Sequence, residues 1–190
     1  MQLSKGNLAI LVVFSISWIN TAVAQSAEDQ FQPIVEISAH RLLIAQQVAL
    51  AKWDSGAAVE DPPREAQVIQ GAVKSGDSKG LDPALVSNFF KAQIEANKVV
   101  QYSLLADWHR AGKAPHHEPV NLSTTMRPQL DKVQTELVAE LARTAAIRAS
   151  PTCRTNVAKA VGHYLSSHQY DDAHLFAIAL DRALSTACAP

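Results

Sequence analysis

Aromatic side chains are scarce, at 6% of residues, too few for a platform that stacks nucleic-acid bases. Neither sign of charge is in excess: 17 Lys and Arg stand against 18 Asp and Glu, and a formal charge of −1 removes the electrostatic basis for nucleic-acid binding. Seven Gly and nine Pro in 190 residues exclude collagen-like and low-complexity chains. The shortage of glycine and of β-branched runs also speaks against a sheet protein. No strand-like alternation and no internal repeat stands out. Since a domain takes ~100–200 residues, the length fits one domain, and what remains is an all-α reading.

One long hydrophobic run is present, at the start. Residues 8–19 (LAILVVFSISWI) carry no charge, follow Lys5 and precede Ala22-Val23-Ala24, the small-x-small pattern of a signal-peptidase site. The run is short for a bilayer span, which needs ~20 residues. Residues 1–24 are therefore expected to be a cleaved signal peptide, with an uncleaved anchor as the alternative. The mature chain, residues 25–190, is then periplasmic or secreted and free of the membrane. In an oxidising compartment Cys153 and Cys188, the only two cysteines, are expected to join. Closing that loop stabilises a fold by roughly 4 kcal/mol in the chain-entropy model. No third or fourth ligand stands nearby at metal spacing.

Helix punctuation divides the rest into about six segments. Ile34, Ile37, Leu42, Ala45, Val48 and Ala49 recur at steps of three and four, predicting a helix from near Pro33 to Gly56. Asp61-Pro62 and Asp82-Pro83 each join a capping side chain to a first-turn proline. They open a second helix ending near Ser75-Gly76 and a third reaching about His109. Gly112, Pro115 and Pro119 make residues 110–122 a loop. A fourth helix starts at Ser123 or Thr125, holds Pro128 in its first turn and reaches about Arg148. Ser150-Pro151 starts a fifth that ends near Ser167, and Asp171 or Asp172 caps a sixth reaching Cys188. A turn at Gln169-Tyr170 makes the last two antiparallel and brings the two cysteines together.

Polar residues stand along stripes that an all-helical core should keep dry. Arg41 and Lys52 are 11 residues apart. At ~100° per residue this is three turns and about 20°, so both cations point the same way, beside Leu42, Ala45, Val48 and Ala49. Asp61, Arg64 and Glu65 share the first turn of the second helix. Asn97 and Gln101, four apart, align with Phe90, Ile94 and Leu105 on the third, and Arg127 opens the fourth. Singly, each has an ordinary reading: snorkelling cations at a stripe's edge, a cap with its i,i+3 partner, half-exposed amides.

Their joint order resembles the all-helical chorismate mutases, above all the exported, disulfide-containing branch. That family's Arg, Lys 11 later, Asp nine beyond and Arg three further on is matched by Arg41, Lys52, Asp61 and Arg64, with Glu65 following. Its small polar residue with Gln or Glu four later is matched by Asn97 and Gln101, and its later arginine, after a Pro-rich loop, by Arg127. Lys52-Trp53, Asp107-Trp108 and the cysteines bracketing the last two helices resemble the exported branch as well. The resemblance runs from about residue 33 to 188.

It implies a type II-like helical bundle in which residues 33–148 carry catalysis and residues 150–188 form a disulfide-linked pair. It also implies rearrangement of chorismate to prephenate, a unimolecular reaction that requires no cofactor, metal or nucleophile. Lys52 and Gln101 would donate to the substrate's ether oxygen, and Arg64 would add positive field. Arg41 and Arg127 would bind the carboxylates. Asp61 and Glu65 would meet the hydroxyl or orient Arg64 and Lys52, and Asn97 would contact a carboxylate or line the pocket. A homodimer is implied too. One rival is a non-catalytic exported protein that binds a small anion or a partner, whose charges need share no pocket. Another is a metal protein built on His109, His116, His117 and Glu118, although no i,i+4 pair supports a defined site.

Overall fold

The computed structural model describes residues 26–188; the expected signal peptide lies outside them. All regular structure among the described residues is helical. A 3₁₀ turn (Asp29–Phe31) leads into α1 (Gln32–Ser55), followed by α2 (Pro62–Asp77) and α3 (Pro83–Ala111). After a loop and a π-helical turn (Leu122–Met126) come α4 (Arg127–Arg143) and the one-turn α5 (Ala145–Arg148). The chain closes with α6 (Cys153–Ser167) and α7 (Ala173–Leu184).

Local chemistry sets these boundaries. Asp61 Oδ1 accepts from the Arg64 backbone N–H at 3.2 Å, and Asp82 Oδ1 from that of Ala84 at 3.1 Å, each satisfying a donor left free at a helix start. Asp172 does the same for Leu175 at 2.9 Å. Gly56 and Gly112 end α1 and α3 with φ of 69°, a left-handed turn that favours glycine.

Four boundaries differ from the sequence expectation. Asn121, rather than Ser123 or Thr125, caps the fourth segment, its Oδ1 accepting from the Ser123 and Thr124 N–H groups. That segment does not run unbroken to Arg148 but stops at Thr144, whose hydroxyl donates to the Glu140 carbonyl at 2.6 Å. Beyond the break, buried Arg148 turns back and donates to the Leu141 carbonyl at 3.0 Å. Ser150 to Thr152 form a turn rather than a helix start, so α6 opens at Cys153. Likewise α7 ends at Leu184, short of Cys188. The antiparallel pair still brings the cysteines together, and Cys153 and Cys188 form a disulfide with Cα atoms 5.8 Å apart.

α1 is the central element, in contact with α3, α4, α6 and α7, while α7 lies along α3. Ile34, Leu42, Phe89, Phe90, Leu137 and Leu180 are fully buried at this junction, each contributing roughly 1.5–3 kcal/mol of transfer free energy. Buried Gln93 of α3 donates to Ser38 of α1 and to the Ala183 carbonyl of α7, linking the three helices. α2 packs on α3 and α4. The second half of α1, the start of α2, the middle of α3 and the start of α4 thus face one another across a hollow.

Candidate active site

Arg41, Lys52, Asp61, Arg64, Glu65, Asn97, Gln101 and Arg127 all line that hollow, a half-open cleft with a cavity volume of about 130 Å³. At ~30 Å³ per water in the liquid, this is space for about four waters. Val48, Val68, Ile94, Leu122 and Met126 supply apolar wall.

Arg41 sits deepest, 4% exposed on the inward face of α1. Its Nε is buried without a hydrogen-bond partner. Burial lowers its pKa to about 10, with Asp131 opposing and Arg64 adding to the shift, so the guanidinium is charged at neutral pH. A desolvated cation without a matching carboxylate is costly in a folded protein unless an anion is to be supplied from outside.

Three turns further along α1, half-buried Lys52 donates to the Val59 carbonyl at 2.7 Å. Burial pulls its pKa down, against the attraction of Asp61, Glu65 and Glu60. The ammonium is thereby fixed beneath the α1–α2 loop rather than spread into solvent.

At the start of α2, Asp61 caps the helix while Glu65 Oε1 accepts from the Asp61 backbone N–H at 3.3 Å, a reciprocal arrangement that fixes both carboxylates. Arg64 reaches across to Asp131 of α4 at 2.8 Å. On α3, Gln101 Nε2 donates to the Asn97 main-chain carbonyl at 3.2 Å, and Gln101 Oε1 and Asn97 Oδ1 are buried without partners. Three of the four buried side-chain atoms lacking a partner among the described residues thus belong to cleft residues. Unmet hydrogen-bonding capacity concentrated in one place marks a binding site better than a core defect.

Three polar lining residues escaped the sequence reading: Lys98, Asp131 and Gln134. Asp131 carried a signal, standing four residues after Arg127 on one helix face. Lys98 follows Asn97 directly, and nothing local distinguishes it from a surface lysine. With them, the lining holds five cations, Arg41, Lys52, Arg64, Lys98 and Arg127, against the three carboxylates of Asp61, Glu65 and Asp131. The cleft carries a formal surplus of two positive charges.

The histidines lie elsewhere. His117 contacts the Pro115 carbonyl at 2.8 Å and Asp54 at 3.0 Å, and His109 packs on Trp53. Among the described residues no group of three or more His, Cys, Asp or Glu is placed to hold a metal ion. The donor set in the cleft is suited to recognising carboxylates and to stabilising negative charge that develops on a guest's oxygen.

A family model described as chorismate mutase type II matches residues 32–102. Over 173 residues the chain is 30% identical to a secreted chorismate mutase of Mycolicibacterium smegmatis, covering 90% of this chain and 94% of that protein. The crystal structure of a chorismate mutase from Burkholderia phymatum superposes with a TM-score of 0.83 at 41% identity, over 87% of this chain and 100% of the other. One from Burkholderia thailandensis does so with a TM-score of 0.79 at 36% identity, over 84% and 99%.

Proposed function

The chain belongs to the chorismate mutase family, and from that premise we propose how its cleft rearranges chorismate to prephenate. In this intramolecular isomerisation the substrate's ether C–O bond breaks as a new C–C bond forms, and the ether oxygen gains negative charge in between. No group is transferred to the protein. The protein has to hold a flexible dianion in its compact reactive shape and to meet the developing charge with fixed donors.

Arg41 and Arg127 take the two carboxylates, where planar guanidinium forks match carboxylate geometry. Lys52 and Gln101 donate to the ether oxygen: Lys52 leaves the Val59 carbonyl, and Gln101 turns its amide from its own helix. Arg64 adds positive field near the breaking bond. Asp61 and Glu65 receive the substrate hydroxyl and orient Arg64 and Lys52, and Asn97 hydrogen-bonds a carboxylate. α1 to α4 do the chemistry, while the disulfide-pinned segment 150–188 secures the fold.

The observation that carries this assignment is Arg41, a desolvated cation with an unpaired Nε facing a cleft of surplus charge +2, which a dianion neutralises. The protein acts outside the cytoplasm as a homodimer. Relatives described as secreted support the location, and no helix among the described residues is long and apolar enough to cross a membrane. The test is to incubate the purified protein with chorismate and identify the product by proton NMR. Prephenate as the sole product is expected; unchanged chorismate, or reversible binding of it without conversion, contradicts the reading.

A further inference from the structure

Lys98 is the cation of the cleft lining with no role in the scheme above. Its ammonium lies 2.7 Å from Glu95, 2.9 Å from Glu60 and 3.3 Å from Glu65, with only 12% of the side chain exposed. Burial alone would lower its pKa, but the carboxylates of Glu95, Glu60 and Glu65 outweigh it and hold the ammonium firmly protonated. Glu60 is gripped a second time, its Oε1 accepting from the Tyr102 hydroxyl at 3.0 Å. Glu95, Lys98 and Tyr102 stand at i, i+3 and i+7, one face of α3. They clasp the segment that carries Val59, the present partner of Lys52, and Asp61, Arg64 and Glu65.

The charge arithmetic gives that clasp a purpose. Glu65 points into a site that must admit a dianion, and Glu60 stands close enough to act on Lys52. Left unpaired, the largely buried carboxylate of Glu65 in the cleft lining opposes an anionic guest. Removing the Lys98 charge halves the surplus of the cleft lining, from two to one.

We propose that Lys98 is a positioning residue of this cleft, fixing the α1–α2 loop and the start of α2 to α3 and neutralising Glu65 so that a doubly negative substrate can bind. It acts through Glu60 and Glu65 and not on the reacting atoms, so it sets KM more than kcat. The inference rests on the chorismate reading, and the experiment separates the two.

Steady-state kinetics of Lys98→Met, Lys98→Gln and Lys98→Arg on the purified protein, at low and at about 0.5 M salt, provide the test. Both charge-free variants should raise KM for chorismate about tenfold, with kcat within about twofold of the parent. The KM gap should narrow at high salt, and Lys98→Arg should restore KM to within about threefold. A salt-insensitive loss confined to kcat, an unchanged KM, or a failure of Lys98→Arg to restore it would overturn the proposal. So would a failure of both charge-free variants to fold, which would make Lys98 a structural residue. If the parent protein itself does not turn over chorismate, the functional reading fails instead.

Discussion

Gln101 donates its side-chain amide to the Asn97 carbonyl one turn earlier on α3, so the group assigned to the ether oxygen is held within its own helix while its Oε1 is left buried and unpaired. A neutral amide donates at any pH, so kcat/KM should stay roughly flat from mildly acidic to neutral conditions. Lys52 bounds the plateau on the alkaline side. Burial lowers its pKa, so activity should begin to fall below the range in which an ordinary lysine loses its proton. Gln101→Leu should cost about 3 kcal/mol of transition-state stabilisation, roughly a hundredfold in kcat/KM. Gln101→Glu should lose activity steadily as pH rises, because a carboxyl donates only while protonated. A steep loss in the parent protein between acidic and neutral pH, with the fold intact, contradicts the role.

Arg41 offers a trade between stability and activity. Its guanidinium is desolvated and holds its proton at neutral pH, with a pKa lowered to about 10. A base whose pKa is lower folded than unfolded destabilises the fold at every pH where it stays charged. Arg41→Met keeps most of the packing and removes that charge, so the melting temperature should hold or rise while kcat/KM falls at least about a hundredfold. Thermal melts and kinetics on one sample check both halves. A marked drop in Tm with activity preserved would make Arg41 a structural residue.

Much of this arrangement was legible in the chain. Asp61-Pro62 and Asp82-Pro83 open their helices as the capping pattern predicts, and the 11-residue step from Arg41 to Lys52 puts both cations on one face because helix geometry allows nothing else. The break at Thr144 was not legible. No glycine or proline marks it, and it rests on a threonine back-bond together with Arg148 folding onto the Leu141 carbonyl, a contact that exists only once α5 is in place. Lys98 was missed for a related reason. Its partners Glu60 and Glu65 lie more than 30 residues away, so the ion cluster comes into being only when α2 docks on α3.

The Pro-rich loop is tied to the end of α1 by His117. Hydrogen bonding to the Pro115 carbonyl and then to Asp54 raises the imidazole pKa. A group with a raised folded pKa contributes stability that is complete below its unfolded value and is lost as pH climbs through the folded one. The parent protein should therefore exceed His117→Ala in Tm by more at about pH 5.5 than at about pH 8.5. An equal difference at both pH values contradicts the tie.

The Cys153–Cys188 bridge closes its loop away from the cleft, between the start of α6 and the segment after α7. Replacing both cysteines with serine should cost about 4 kcal/mol of folding free energy. At a temperature where the variant stays folded, its kcat/KM should match the parent. Denaturant unfolding and kinetics check this, and an activity loss without unfolding would tie the C-terminal pair to the site.

The central claim is that four cations drawn from distant parts of the chain form one site for a dianion that reacts within it. The most direct measurement follows the fall in chorismate ultraviolet absorbance with the parent protein, Arg41→Ala and Lys52→Ala, all verified as folded. The expected result is turnover by the parent without any added cofactor, and at least about a hundredfold lower kcat/KM in each variant. A folded parent that leaves the absorbance unchanged, or variants that retain its rate, would contradict the account.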